Sequence, residues 1–180
     1  MPLLMLKDLP RYDCLLRAAE QFPTLNPARF DAFLNLLRTG DDVSGAENRF
    51  LARHNISQGR FTVLMLLHRP QSCTPAGLAD ESNVTRATMT GLIDTLEKDG
   101  LVVREADADD RRTLHVLLTA RGRAFIEKLL PDYFRVVSAI IEPLNAAEQE
   151  DLVSLLQKIQ QGAELRRDSE ARDLLLPAVL

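Results

Sequence analysis

Apolar residues recur at helical spacing along most of this chain and give way to short β-rich runs only between residues 101 and 118. Leu9, Tyr12, Leu15, Leu16 and Ala19, bounded by Pro10 and Pro23, predict a short amphipathic helix. Asn26 and Pro27 place an N-cap before a proline at the first helical position, where its missing N–H costs nothing. They open a long helix to about Arg53, with Phe30, Phe33, Leu34, Leu37, Val43, Phe50 and Leu51 roughly along one side. Gly40 and Gly45 weaken it by about 1 kcal/mol each relative to alanine, which allows a bend. Ser57 caps the next helix, whose body Phe61, Val63, Leu64, Met65, Leu66 and Leu67 is apolar nearly all round, the pattern of a buried helix. Further on, Thr119 caps a long helix through Phe125, Ile126, Leu129, Leu130, Phe134, Val137 and Ile141, with a kink expected at Pro131. Asn145 and Glu148 have capping-box spacing ahead of the stripe Leu152, Val153, Leu155, Leu156 and Ile159. From Gln161 on, charged residues precede an apolar LLLPAVL tail.

The stretch from Thr74 to Thr119 has a finer grain. Thr74 and Pro75 repeat the cap-and-proline start, Leu78 and Ala79 give a short helix its inner face, and Ser82 with Asn83 ends it, asparagine tolerating the left-handed backbone region. Val84 is expected to plug the turn, and Thr85 to cap a second helix with Met89, Leu92, Ile93 and Leu96 on its inner face. After Gly100, suited to a helix C-terminus, Leu101 to Glu105 and Thr113 to Leu118 read as two strands joined by a polar loop, Ala106 to Arg112. Helix, turn, helix and hairpin in this order form a winged helix-turn-helix.

The outer face of the second helix carries Thr85, Arg86, Ala87, Thr88, Thr90 and Gly91, a small, hydroxyl-rich surface with one long cation. On an isolated helix this is ordinary solvated surface. Within a helix-turn-helix it fits a nucleic-acid groove, where hydroxyls and arginine bond phosphates or base edges and small residues let the backbone come close.

The run GLADESNVTRATMTGLIDTLEKDGLVVREADADDRRTLHVLLTARG resembles the DNA-binding head of the MarR (multiple antibiotic resistance regulator) family of bacterial transcription factors. It contains LEKDGLV.R after the second helix, DRR in the wing and LT..G where the next helix starts, three motifs in the family's order and spacing. The likeness extends from about Pro27 to Gln161. It implies a mainly α fold with a small β-hairpin wing and a long-helix dimerisation region. It also implies that Arg112 reaches the minor groove while Asp110 holds the wing tip. Arg111, one residue earlier and on the other side of its strand, is expected at a phosphate or paired with an acid. The family commonly holds a small aromatic or phenolic anion between dimer helices and head. His54, Phe61 and Met65 lie near that junction as a donor and a flat wall, or, for Phe61 and Met65, as plain core.

The expected organisation is an N-terminal extension over 1–23, a helical dimerisation region over 24–56 and 120–180, and the head over 57–119. The extension is read as a dimer arm, with packing on its own subunit as the alternative. At 180 residues and 46% hydrophobic, the chain has ample core. The long helices carry more apolar surface than one small head can cover, which calls for a second copy, the alternative being a monomeric helical bundle with a small domain attached. No apolar run reaches the roughly 18 residues of a membrane span, and PLLML is too short for a signal sequence, so a cytoplasmic protein is expected. The net charge of −4 disfavours broad nucleic-acid coating but not the reading of a specific duplex, which needs only a local positive patch such as Arg111, Arg112, Arg121 and Arg123.

His54, His68 and His115 are scattered over three elements, and neither Cys14 nor Cys73 has zinc-site or redox-pair spacing or an obvious cationic neighbour arranged to lower its pKa. No glycine-rich phosphate loop or nucleophile elbow is present. An enzyme, a metal site and a cofactor are therefore not expected. The sequence reads as a homodimeric regulator, most simply a repressor, that binds a near-palindromic double-stranded DNA site and responds to a small aromatic effector. The alternative is a winged-helix scaffold that docks protein and leaves DNA alone.

Overall fold

Three helices end in the same way, and those endings shape the head. A computed structural model describes residues 8–69, 73–107 and 113–175, in the order α1 (Tyr12–Gln21), α2 (Pro27–Arg53), α3 (Gln58–Leu67), α4 (Pro75–Glu81), α5 (Arg86–Lys98), β1 (Val102–Ala106), β2 (Leu114–Leu118), α6 (Ala120–Ile141) and α7 (Ala146–Leu175). After α2, α4 and α5 the chain turns through a residue of positive φ: Asn55 at 56°, Asn83 at 52° and Gly100 at 69°. At each end the next N–H reaches back five residues: Ile56 to Leu51 O at 3.2 Å, Val84 to Ala79 O at 3.1 Å, Leu101 to Leu96 O at 2.9 Å. These are Schellman endings, which satisfy helix carbonyls that would otherwise lack partners.

Helix starts are fixed by side chains. Asn26 Oδ1 accepts the Arg29 N–H at 3.0 Å, Thr74 Oγ1 that of Gly77 at 3.1 Å, and Thr85 Oγ1 that of Thr88 at 3.2 Å. The Asn145 N–H donates to Glu148 Oε2 at 2.8 Å and the Glu148 N–H to Asn145 Oδ1 at 3.1 Å, a reciprocal box at the head of α7. Each such cap stabilises by about 1 kcal/mol. Between them, α2 runs unbroken through Gly40 and Gly45, and α6 through Pro131. Helix α7 runs to Leu175, well past the stripe that ends at Ile159. Its later residues are rich in Ala, Glu, Leu and Arg, strong helix formers that need no apolar stripe to continue a turn.

Helix α3 is the post of the head: Phe61, Val63, Leu64, Leu66 and Leu67 are buried in one cluster with Leu51 of α2, Leu78 of α4, Met89, Ile93 and Leu96 of α5, Val116 of β2 and Ile126 of α6. Burying each such side chain stabilises by roughly 1.5–3 kcal/mol. The two strands pair antiparallel from Val102↔Leu118 to Ala106↔Leu114, and the Val116 N–H donates to Cys73 O at 2.9 Å, a single bridge on the free edge of β2.

The start of α6 explains the LT..G motif. Thr119 Oγ1 accepts the Gly122 N–H at 2.9 Å and donates to Gly100 O at 2.8 Å, and a Cβ on Gly122 would stand 1.9 Å from Leu101 O. Only glycine lets α6 lie against the α5–β1 turn this closely.

Contacts divide the chain into two compact units, residues 1–136 and 137–180. In the first, α1 packs on α2, burying Leu15 and leaving Tyr12 and Leu16 exposed. In the second, Val153, Leu155, Ile159 and Leu165 are exposed along α7.

Candidate nucleic-acid interface

The turn between α4 and α5 holds the second helix with its outer face in solvent. Thr85, Arg86, Ala87, Thr88, Thr90 and Gly91 are all exposed, while Met89, Ile93 and Leu96 of the same helix are buried. At about 100° per residue, Ala87 and Gly91 point most directly away from that buried stripe. A Cβ on Gly91 would meet nothing within 4 Å, so no packing inside the chain calls for glycine there. A mid-helix glycine weakens the helix by up to about 1 kcal/mol relative to alanine. Two hydroxyls are partly committed: Thr85 Oγ1 caps the helix and lies 2.9 Å from Thr88 Oγ1, and Thr90 Oγ1 donates to Arg86 O at 2.9 Å. Thr90 therefore offers outward only an acceptor and a methyl group. Val84 is 37% exposed and does not plug the turn. Leu78 and Ala79 already close the core there.

The wing is bolted to this helix. Arg104 of β1 reaches across to both Asp94 and Glu97 of α5, and its N–H donates to Glu97 Oε1 at 3.3 Å. At the loop end of the hairpin the Asp107 N–H donates to Thr113 O at 2.9 Å, and His115 Nε2 lies 2.9 Å from Asp107 Oδ2. Asp110, Arg111 and Arg112 lie outside the described residues.

A cavity of about 510 Å³ opens behind the head, lined by His54, Asn55 and Ile56 after α2, Arg60 of α3, Asp99 and Leu101 after α5, and Arg121, Phe125 and Lys128 of α6. Arg60 donates to Asp99 Oδ2 and to Asn55 O, both at 2.9 Å, whereas Arg121 and Lys128 have no carboxylate partner among the described residues. The cavity is therefore positively charged with an aromatic wall. Of the three residues expected around a ligand, only His54 lines it. Phe61 is 3% exposed, its ring centroid 4.6 Å from that of Tyr133, and Met65 packs against the same core. Nearby, Glu47 accepts from Tyr133 Oη at 2.9 Å and from Gln58 Nε2 at 3.0 Å, tying α2 to α3 and α6. Burial first, then the bond and charge of Glu47, push the Tyr133 phenol up to about 12.

This architecture is shared. A family model described as MarR matches residues 56–114, the span from the turn before α3 to the start of β2. The HTH-type transcriptional repressor YetL of Bacillus subtilis is 34% identical over 84% of this chain and 92% of its own. The chain belongs to the MarR family. Two solved structures of the same kind superpose with TM-scores of 0.63. One is BpsR of Bordetella bronchiseptica, whose DNA binding is regulated by 6-hydroxynicotinic acid, 26% identical over 69% of this chain and 89% of that one. The other is CouR of Rhodococcus jostii RHA1 bound to p-coumaroyl-CoA, 27% identical over 72% and 91%. As a MarR-family member the chain is a DNA-binding transcriptional regulator of repressor type, and the relatives it matches are regulators rather than enzymes.

Other chemistry in this MarR-family regulator is sparse. Among the described residues no group of three His, Cys, Asp or Glu could hold a metal ion, and no helix is long and apolar enough to cross a membrane. Arg17 Nη2 donates to Cys14 Sγ at 3.3 Å, one helical turn away. The Cys73 thiol is pushed up by burial and by Glu81, against an opposing pull from Arg69. Sequence reasoning passed over Arg104 as a structural element although it ends LEKDGLV.R, and it passed over the Glu47–Tyr133 pair, whose partners are 86 residues apart.

Proposed function

We propose that this chain acts in the cytoplasm as a homodimer that binds a near-palindromic duplex and represses the gene beside it, until a small aromatic anion releases it. The observation that carries the DNA-reading part is the exposed ridge of Ala87 and Gly91, where Gly91 gives up a side chain that nothing inside the chain requires it to lack. Thr85, Arg86, Thr88 and Thr90 flank that ridge as polar contacts. Asp110, Arg111 and Arg112 act at the wing, with Arg112 in the minor groove, where a narrow groove concentrates negative potential around a guanidinium.

The homodimer rests on uncovered apolar side chains: Phe33 on α2, Phe134 on α6 and Leu165 on α7, at 51%, 52% and 71% exposure. Burying them against a second copy is the ordinary use of such surface. The N-terminal extension, 1–23, joins that interface as an arm, residues 24–56 and 120–180 supply its helices, and 57–119 is the head.

Release is assigned to the cavity beside His54. Arg121 and Lys128 suit a carboxylate, Phe125 a flat ring, and Asp99 lies directly after α5, so an occupant there bears on the recognition helix. Phe61 and Met65 support the pocket from the core behind it. BpsR and CouR, whose ligands are aromatic acids or their thioesters, favour the same chemistry. A ligand of this kind acts only through a difference in affinity between the DNA-competent and released forms.

The test is selection from a random duplex library, then titration of the selected duplex with aromatic acids in a fluorescence-anisotropy assay. Salt-dependent, sequence-selective retention is expected, with displacement by at least one acid that Arg121→Ala makes ineffective. Retention of no duplex at low salt would favour a protein-docking scaffold instead.

A further inference from the structure

The α5 surface is not uniform, and its two flanks suit different parts of a duplex. Arg86 and Thr90 stand one turn apart on the flank that also carries Asp94 and Glu97, the carboxylates held by Arg104 of β1, so this flank faces the wing. There a cleft of about 470 Å³ opens between the start of α4, the start of α5 and β2. Arg86, Thr74, Thr90 and Thr113 supply its polar groups, and Pro75, Ala76 and Leu114 its apolar walls. Leu114 is 43% exposed, an unusual residue for a surface that meets a polyanion. Thr74 Oγ1 accepts from the Gly77 N–H, which leaves its own proton to donate. Among the described residues Arg86 has no ion-pair partner and no carboxylate lines the cleft. A negatively charged oxygen beside a small apolar ring matches such a site, and the sugar–phosphate strand between a major groove and its adjacent minor groove passes between a recognition helix and a wing.

We propose that this cleft seats one deoxyribose-phosphate unit of the DNA backbone, with Arg86 and Thr74 donating to phosphate oxygens and Leu114 and Pro75 lying against the sugar. Arg86 is then a backbone clamp, and base edges are read by the outward ridge of Ala87, Thr88 and Gly91. The inference rests on the reading of this chain as a duplex binder, and it reassigns Arg86, the long cation in the first turn of α5, from sequence readout to positioning.

Phosphate and base contacts leave different signatures. Wild type, Arg86→Ala, Arg86→Lys, Leu114→Ala and Thr88→Ala are titrated against the duplex selected by the wild type and against its single-base-pair variants, at several salt concentrations, with thermal melting as the check on folding. Arg86→Ala is expected to weaken binding to every duplex in the same ratio, by about tenfold per head, and to flatten the salt slope by roughly 0.9 per head. Arg86→Lys keeps most of the slope, because a phosphate needs the charge rather than the planar fork. Leu114→Ala weakens all duplexes alike with the slope unchanged, and Thr88→Ala changes the ranking of the variants. If Arg86→Ala leaves the slope intact and relaxes discrimination at one base pair, and Arg86→Lys fails to rescue, Arg86 reads a base and the clamp is wrong. Uniform indifference to Leu114→Ala would remove the sugar wall. Failure of the wild type itself to retain any duplex would overturn the DNA reading and the clamp with it.

Discussion

Replacing Gly91 and Gly122 in turn by alanine separates the two uses this chain makes of helical glycine. At Gly122 the new methyl would stand 1.9 Å from Leu101 O and 2.8 Å from Leu101 C, so α6 or the α5–β1 turn must withdraw by about 1 Å to reach any distance real side chains adopt. Overpacking against backbone costs typically 1–3 kcal/mol. The Leu101 carbonyl also accepts the Thr119 N–H at 3.1 Å, and losing that bond adds about 1 kcal/mol. Against this stands a helix-propensity gain of about 1 kcal/mol. Gly122→Ala is therefore expected to destabilise by about 2 kcal/mol and, at about 2–4 °C per kcal/mol for a chain of this size, to lower Tm by about 4–8 °C.

At Gly91 the methyl meets nothing, so only the propensity gain remains and Tm should rise by about 2–4 °C. The same methyl lies on the ridge, between the helix and a base edge, where the overpacking range of about 1–3 kcal/mol per head applies to binding instead. One melting series at fixed protein concentration and one anisotropy titration with the selected duplex give both numbers. A more stable Gly91→Ala variant with wild-type affinity would refute the claim that this glycine exists for close approach to DNA. An undisturbed Gly122→Ala would refute the account of how α6 docks.

Three further outcomes follow from the same geometry. In a Tyr12→Phe background, absorbance titration should show Tyr133 ionising near about 12 rather than 10, and Glu47→Gln should bring it down. Because the folded-state pKa is the raised one, the stability contributed by this phenol is complete below pH 10 and is lost as pH rises through about 12; ionisation near 10 would contradict the burial and the bond. Half-site centres should lie about 10 to 10.5 base pairs apart, so five inserted base pairs put one head on the opposite face and abolish tight binding, whereas unchanged affinity would indicate a flexible or monomeric reader. On a Cys14→Ser background, Cys73 should label with maleimide more slowly than a free cysteine at neutral pH, since burial and Glu81 hold it as a thiol, and Cys73→Ser should leave DNA release by peroxide unaltered; a fast-labelling Cys73 would overturn this.

What could be read from the sequence was what depends on neighbours a few residues away. The caps at Asn26, Thr74, Thr85 and Asn145 are such features, because a side-chain oxygen reaches an N–H only three residues on. Asn83 and Gly100 were legible as helix ends for the same reason. Asn55 was equally legible and went unread: Asn55-Ile56-Ser57 repeats the order of Asn83-Val84-Thr85, a left-handed asparagine, an apolar residue and an N-cap. The two copies diverge only in the middle residue, Ile56 being buried and Val84 exposed, which depends on what lies beneath rather than on the motif. Features made by distant partners were out of reach. Phe61 reads as a flat surface until Tyr133 of α6 packs on it with its ring tilted by 51°, and the charge of the cavity beside His54 comes from Arg121 and Lys128, more than 60 residues away.

The acidic balance of the chain bears on how such a regulator finds its site. Its net charge of −4 opposes approach to a polyanion, but at physiological salt the Debye length is about 8 Å, so charges on the far side of the head are screened while those on the DNA face act in full. On that face the carboxylates nearest α5's outer ridge, Asp94 and Glu97, are occupied by Arg104, which leaves Arg86 as a cation without an ion-pair partner among the described residues. Tying the wing to the recognition helix through Arg104 thus also cancels one of the two negative charges that free carboxylates would turn toward the backbone. Weak attraction to arbitrary DNA and intact contacts at the right sequence raise the ratio of specific to non-specific binding, which governs occupancy among a genome's competing sites more than the dissociation constant does. For a repressor with few cations to spend, placing Arg86 on the backbone and leaving readout to Ala87, Thr88 and Gly91 keeps affinity electrostatic and discrimination steric.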